Sequence, residues 1–186
     1  MKNRILPLLF GLLFPLLLSM PSRAELYLEA SLEGGGDTLA RSSLGDELNA
    51  GGGVKLAIGT QNWLDDAGSS ALRLSVGYLW DDVSGSNGSA ELEALTFDAL
   101  YLINSGPHSF GVGAAWQASP RYRIHVDGVN SRIDYQDTVG PVIQYSYRFS
   151  PGLELGFRFS DLEYEAESGG ERRDAGSFGV YLSNGF

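Results

Sequence analysis

Cysteine is absent from this chain of 186 residues, and histidine occurs only twice. Disulfide bonds and thiolate chemistry are therefore excluded, and neither a structural zinc site nor a histidine-rich metal site is expected. Basic residues are also scarce, with 13 Lys and Arg against 23 Asp and Glu. Because phosphate backbones are bound by clustered Lys and Arg, we expect no nucleic-acid partner.

Long apolar runs are missing too, apart from one near the N-terminus. Residues 5–18 are almost wholly apolar, but they contain two prolines and are shorter than the ~20 residues that a spanning helix needs. Two basic residues precede this run, and the small residues Ser22 and Ala24 follow it, three and one residues before the expected cut. This order is typical of a secretory signal peptide. We predict that residues 1–24 are a cleaved signal peptide and that residues 25–186 form one exported domain.

The rest of the chain has a period of two. Alternating apolar and polar residues indicate strands with one apolar and one polar face. Eight segments show the pattern: 26–33, 54–59, 72–80, 95–103, 110–117, 142–149, 153–160 and 177–186. Tight turns alternate with longer connections at about 36–47, 81–90, 119–137 and 161–174. This layout predicts an all-β fold, a closed antiparallel up-and-down transmembrane β-barrel of about eight strands whose first and last strands pair.

The polar face decides between a soluble barrel and a membrane barrel. The apolar face points inward in the first and toward lipid in the second. Four acidic and four basic residues lie near the middle of strands: Glu29, Glu33, Lys55, Arg73, Asp98, Arg148, Glu154 and Arg158. Such side chains can fill a narrow lumen as ion pairs. We therefore predict that these eight residues form a lumen charge network and that the apolar face meets lipid.

Two further features bear on the barrel. Aromatic residues lie toward the ends of the apolar stripes, as in the girdles of membrane barrels: Tyr78, Trp80, Tyr101, Trp116, Tyr145, Tyr147 and Phe186. Pro141 conflicts with its segment, because proline cannot donate to a strand ladder. We expect a bulge or the extracellular end of the strand at this proline.

The final segment resembles the C-terminal strand signal of outer-membrane barrels, which ends in a Phe that the barrel-assembly machinery reads. The resemblance assigns this assembly signal to Phe178, Val180, Leu182 and Phe186. Size and layout resemble the eight-stranded OmpA-like barrel superfamily. More narrowly, residues 139–182 resemble the end of the YfaZ-type family of small outer-membrane proteins. The matching segments are Tyr147-Arg148, a Ser-Pro-Gly turn, residues 153–159 and a Gly-Gly-Glu-Arg-Arg-Asp loop.

This resemblance implies a place in the Gram-negative cell envelope. The expected location is the outer membrane, reached through the periplasm with the help of periplasmic chaperones and the barrel-assembly machinery. The expected surroundings are outer-membrane lipid and lipopolysaccharide, the expected state is a monomer, and no cofactor is expected. Neither family brings a catalytic motif that matches this sequence.

Three functions remain open at this point. The leading hypothesis is a non-enzymatic barrel with a structural or surface-interaction role, whose lumen is plugged by paired charges. The alternative is a narrow porin-like channel for small solutes. A lipid A-modifying enzyme is the third, but Tyr181 stands where the deacylase motif His-x-Ser-Asn has its histidine. An enzyme would need a loop triad around His125, drawn from Asp127, Ser119 and Ser131. We assign no catalytic or metal-binding residue.

The long connections also contain arginines, for which two interpretations remain open. They could contact lipopolysaccharide phosphates, because the guanidinium fork suits phosphate, or they could pair with loop carboxylates. These residues are Arg41, Arg121, Arg123, Arg132, Arg172 and Arg173.

Overall fold

The computed structural model describes residues 24–42, 45–86 and 88–186. The predicted signal peptide, apart from Ala24, lies outside these described residues. Among the described residues, no helix is long and apolar enough to cross a membrane.

Eight long strands build the fold. They are β1 (Ala24–Gly34), β2 (Gly53–Trp63), β3 (Ser70–Gly85), β4 (Gly88–Ser105), β5 (His108–Val126), β6 (Thr138–Ser150), β7 (Leu153–Ser160) and β8 (Ser177–Gly185). Each strand pairs antiparallel with the next. β1 also pairs with β8, from Tyr27 opposite Gly185 to Gly34 opposite Phe178. The predicted all-β, closed, eight-stranded up-and-down barrel is therefore confirmed.

The apolar face of the alternation points outward. Leu28, Leu56 and Ile58 are each about half exposed. Glu29, which follows Leu28, and Lys55, which precedes Leu56, are buried. Successive side chains of a strand point to opposite faces, so this contrast holds along the whole barrel wall. The inward direction of the polar face and the outward direction of the apolar face agree with the membrane interpretation of the sequence.

Two inward tyrosines depend on glycines in neighbouring strands. A Cβ atom added at Gly59 would lie 2.7 Å from the ring of Tyr27, and one at Gly156 would lie 2.6 Å from Cζ of Tyr181. No side chain can approach a ring so closely without displacing it. These glycines therefore give the tyrosines room inside a narrow barrel.

The connections at 81–90 and 119–137 differ from expectation, because most of their residues are in strands. The β3–β4 hairpin stays paired up to its tip, and β5 continues past the barrel wall. A short strand, Val129–Asp134, then pairs with β5 across a turn at Asp127 and Gly128. The glycines and charges of these segments reflect exposure to water rather than a lack of pairing. These two connections are therefore extensions of the barrel strands.

The remaining long connections each form a small hairpin. Thr38–Arg41 pairs with Glu47–Asn49, and Glu163–Glu165 pairs with Arg172–Asp174. Together with the extended strands they enclose an apolar cluster, which we call the cap. Its buried members are Leu48, Ala50, Val83, Ala90, Leu92, Tyr122, Tyr135, Leu162, Tyr164, Ala166 and Ala175. All four long connections contribute to the cap, so this end of the barrel is covered by a packed core.

Pro141 lies near the beginning of β6, opposite Ala114 and without a bulge. Its carbonyl accepts a hydrogen bond from the Asp161 amide at 3.1 Å, just after β7 ends. The proline nitrogen therefore faces the end of the neighbouring strand, where no ladder donor is needed. Of the two expected explanations, the strand end applies and the bulge does not.

Candidate functional site in the barrel lumen

The charged residues singled out in the sequence all point into the lumen, and seven of the eight side chains are almost fully buried. Arg148 is the exception, with 29% of its side chain exposed. The structure divides them into two groups. The upper cluster, toward the cap, consists of Glu29, Glu33, Lys55, Asp98 and Arg158. The mouth cluster, toward the short turns, consists of Arg73, Arg148 and Glu154.

Lys55 is the centre of the upper cluster. Its Nζ lies 3.2 Å from Asp98 Oδ2, 3.4 Å from Glu29 Oε1 and 3.5 Å from Glu33 Oε1. Arg158 donates to Asp98 Oδ1, and its Nη1 lies 3.7 Å from Glu29 Oε1. Three carboxylates face two cations, which leaves the upper cluster with a net charge of −1.

The mouth cluster has the opposite balance. Arg73 Nη2 and Arg148 Nη2 each donate to a different oxygen of Glu154, both at 2.9 Å. Arg73 Nε also donates to Gln61 Oε1 at 3.0 Å. Two guanidiniums share one carboxylate, so the net charge is +1. The net charges of the two clusters cancel, but the negative charge lies toward the cap and the positive charge lies toward the short turns.

Because these ion pairs are buried, they have a large effect on the stability of the barrel. Removing a charge from water costs several kcal/mol per ion, and only close partners with further hydrogen bonds offset this cost. Ser75 and Ser146 supply such bonds, to Asp98 at 3.3 Å and to Glu154 at 3.3 Å. The arrangement holds fixed charges in place.

One side of the lumen is apolar, which the sequence analysis did not assign. Side chains of β3–β6 and Trp63 of β2 pack together there: Ala71, Leu100, Leu102, Ala115 and Val142, with Trp63 against them. The signal was present in the sequence, because Leu100 and Leu102 occupy polar-face positions of their strand. Charges and leucines thus share the interior, which leaves less room for water than a purely polar lumen would.

Tyr164 connects the cap to the lumen. Its side chain is fully buried and its hydroxyl donates a hydrogen bond to Gln117 Oε1 on β5. The ring also packs against Tyr135, with the centroids 5.1 Å apart. The cap is therefore tied to the barrel wall by a buried polar contact as well as by apolar packing.

Every arginine of the long connections has a carboxylate partner. The pairs are Arg41–Glu47, Arg121–Glu93, Arg123–Glu91, Arg132–Asp134, Arg172–Glu163 and Arg173–Glu171. Hydrogen bonds from Arg132 and Arg121 lower the pKa of the exposed Asp134 carboxyl. Pairing with loop carboxylates, one of the two interpretations of these arginines, is what the structure shows.

The loop residues considered for a catalytic triad do not form one. His125 Nδ1 contacts Asn130 Oδ1, which lies opposite it in the strand pairing. Ser131 follows Asn130 and so points to the other face of the sheet. Ser119 donates its amide to Asp137 at 2.9 Å. Among the described residues, no group of three or more His, Asp or Glu side chains is arranged to hold a metal ion.

The four residues of the expected assembly signal lie on the outer surface at one edge of the β1–β8 seam. Phe178, Val180, Leu182 and Phe186 are between 41% and 67% exposed. Phe178 stacks on Phe157 at 5.9 Å, and the Phe186 amide donates to the Leu26 carbonyl at 2.9 Å. The last residue therefore completes the pairing of the seam.

No protein-family model and no curated protein sequence matches the chain. Several solved structures are similar to it, among them two small barrels. Neisserial surface protein A matches at 18% identity and a TM-score of 0.57, over 88% of this chain and 97% of that one. Ail, the attachment invasion locus protein of Yersinia pestis, matches at 8% identity and a TM-score of 0.57, over 90% and 100%. This likeness shows the small barrel fold, and the YfaZ-type resemblance stays a prediction.

Proposed function

We propose that the protein is an integral barrel of the outer membrane with a non-enzymatic structural or surface-interaction role. The observation that supports this most is the apolar outer surface of the barrel. Val112, Phe110, Ile143 and Ile103 are each more than half exposed. A contiguous apolar surface of this extent is unfavourable in water and favourable in lipid.

Aromatic contacts at both ends of this surface support the same proposal. Tyr78 stacks on Trp80 and Phe97 on Trp116 toward the cap, at 6.4 Å and 4.8 Å. Phe110 packs on Tyr145 at 5.0 Å near the short turns. Aromatic rings at both interfaces are typical of membrane barrels, in which the short turns face the periplasm. The cap then faces the outside of the cell.

The proposed route to the membrane follows from the sequence. Residues 1–24 direct export and are removed, and periplasmic chaperones deliver the monomer to the barrel-assembly machinery. In the membrane the surroundings are lipid and lipopolysaccharide. Arg121, Arg123 and Arg132 are suited to this contact, because they lie on the outward face of the extended sheet above Tyr78 and Trp80. Their carboxylate partners would orient the guanidiniums rather than leave them free.

Deletion of Phe186 is expected to reduce insertion several-fold and to leave protein in the periplasm. The residue carries the last part of the proposed assembly signal and completes the β1–β8 seam. The measurement is the amount of heat-modifiable protein in the outer-membrane fraction. Phe149→Ala is the control, because Phe149 is a similarly exposed phenylalanine of another strand. Equal insertion of both variants and the parent would contradict the assignment.

We also propose that the lumen is closed by the two ion-pair clusters and the cap. The purified protein in a planar bilayer should therefore show little or no steady conductance, since charged pairs, leucines and the cap leave no continuous water path. A narrow channel is the alternative, and the cavities at the short-turn end are what it would use. A large, stable, voltage-insensitive conductance of the parent protein would refute closure and favour the channel.

A further inference from the structure

Two adjoining cavities open at the short-turn end of the barrel. The inner cavity, about 220 Å³, lies beside the mouth cluster and is lined by Tyr27, Gln61, Arg73 and Glu154, among others. The outer cavity, about 530 Å³, is lined mainly by the turn that joins β2 to β3. Three residues belong to the walls of both cavities: Glu25, Trp63 and Arg148. The two cavities therefore adjoin at these three residues.

The inner cavity contains both guanidiniums of the mouth cluster. Arg73 and Arg148 share the single carboxylate of Glu154. Arg148 binds Glu154 through Nε and Nη2 and is partly exposed, so its guanidinium can still donate to a second acceptor. Among the described residues Arg73 Nη1 has no hydrogen-bond acceptor. Guanidinium groups with spare donors favour a carboxylate ligand.

The charged residues of the outer cavity are mainly carboxylates. Asp65 is held by hydrogen bonds from the amides and hydroxyls of Ser69 and Ser70, and these lower its pKa to about 2. Asp65 therefore stays anionic at neutral pH. Glu25 and Asp66 form no salt bridge with any described residue, although both line this cavity. Three carboxylates at the rim disfavour a multiply charged anion and favour a cation.

We propose that these cavities form a binding site for a zwitterion of amino-acid or short-peptide size. Its carboxylate binds Arg148 and Arg73 in the inner cavity, and its ammonium group faces Glu25 and Asp66 in the outer one. Guanidiniums at the inner end and carboxylates at the rim together favour a ligand with both charges over one with either alone. Trp63 lies between the two cavities, because it lines both of them. The Arg148 guanidinium is 5.7 Å from the centre of its ring. This site does not depend on the proposed location or role of the barrel.

Trp63 offers a direct reporter for this proposal. The chain has three tryptophans, and the other two, Trp80 and Trp116, lie in the upper part of the barrel wall, away from the mouth. The full-length domain carrying Trp80→Phe and Trp116→Phe is refolded in detergent and titrated at constant ionic strength. The probes are L-alanine, L-alanyl-L-alanine, acetate and methylammonium. We expect a saturable change of Trp63 fluorescence with alanine or the dipeptide, at concentrations at least about tenfold lower than with the two singly charged probes.

Variants separate the two ends of the site. Arg148→Gln should weaken binding of the zwitterion and of acetate about tenfold, the effect of losing one charge-assisted hydrogen bond. Glu25→Gln should weaken binding of the zwitterion by a similar factor but should not weaken binding of acetate, because the lost charge is negative. Glu25 is exposed, so this variant leaves the buried clusters intact and tests the site even if Arg148→Gln fails to fold. Arg123→Gln, at the opposite end of the barrel, is the control and should change nothing.

Three results would overturn the proposal. The first is a Trp63 signal that does not saturate with either zwitterion. The second is acetate binding as tightly as alanine, which would indicate a simple anion site. The third is an Arg148→Gln variant that folds, judged by heat-modifiable migration, and binds alanine like its parent.

Discussion

Arg158→Gln is expected to destabilise the barrel by about 3–5 kcal/mol, as is typical when one partner of a buried ion pair is removed. The change leaves three carboxylates of the upper cluster with Lys55 as their only cation, so the local net charge moves from −1 to −2. Asp98 loses its contact with the guanidinium, and a buried carboxylate is costly without its partner. The measurement is urea unfolding of the protein in lipid vesicles, followed by tryptophan fluorescence.

Asp98→Asn gives an informative comparison within the same cluster. It removes the carboxylate that binds both cations, but it leaves two acids with two bases. We therefore expect a smaller loss of stability than for Arg158→Gln. Arg123→Gln is the matched exposed control, because its partner Glu91 is also exposed and such surface pairs contribute about 0–1 kcal/mol. If Arg158→Gln behaved like this surface control, the clusters would not stabilise the barrel.

Tyr164→Ala is expected to open the cap while the barrel stays folded. The substitution leaves a cavity beside Tyr135 and leaves Gln117 without its donor, and truncating a buried aromatic residue typically costs 3–5 kcal/mol. If cleavage follows the population of the open cap, about 3 kcal/mol corresponds to trypsin cutting after Arg172 or Arg173 roughly a hundredfold faster. The barrel should remain heat-modifiable.

Val129→Ala is the control for this experiment, because Val129 lies on the same end of the molecule but is 68% exposed. It should leave the rate of cleavage unchanged. Equal protease resistance of Tyr164→Ala and the parent would show that the four connections are held independently rather than by a common core. Loss of heat-modifiable migration would show instead that the cap and the barrel unfold as one unit.

The separation of the lumen charges into two clusters could be predicted from the sequence only in part. That Glu29, Lys55 and Asp98 point inward follows from their positions in an alternating pattern. The ion-pair partners of these residues cannot be inferred from the sequence, because the pairing depends on the stagger of strands that are far apart in the chain. Lys55 and Asp98 are 43 residues apart, and Arg73 and Glu154 are 81 apart. The separation into a negative upper cluster and a positive mouth cluster arises from this stagger.

The cap was hidden in the sequence for a related reason. Its apolar members are spread over four connections that are rich in glycine and charge. They occur in short alternating runs, such as Leu162, Tyr164 and Ala166, and each run is too short to predict a core that is assembled from distant segments. The extended strands gave a similar difficulty, because their inward apolar residues, such as Tyr122 and Ile124, pack in the cap, whereas their outward residues Arg121 and Arg123 are charged.

The sequence by itself determined the direction of each face, because side-chain direction in a strand is a local property with a period of two. The eight alternating segments and the order of tight turns and longer connections determined the number of strands and predicted their closure into a barrel. The sequence also determined which charges enter the lumen. Only the tertiary structure decided which charges pair, where the surplus of each sign lies, and that the long connections pack into one cap. These features are set by register, stagger and three-dimensional proximity, which link residues that no local pattern connects.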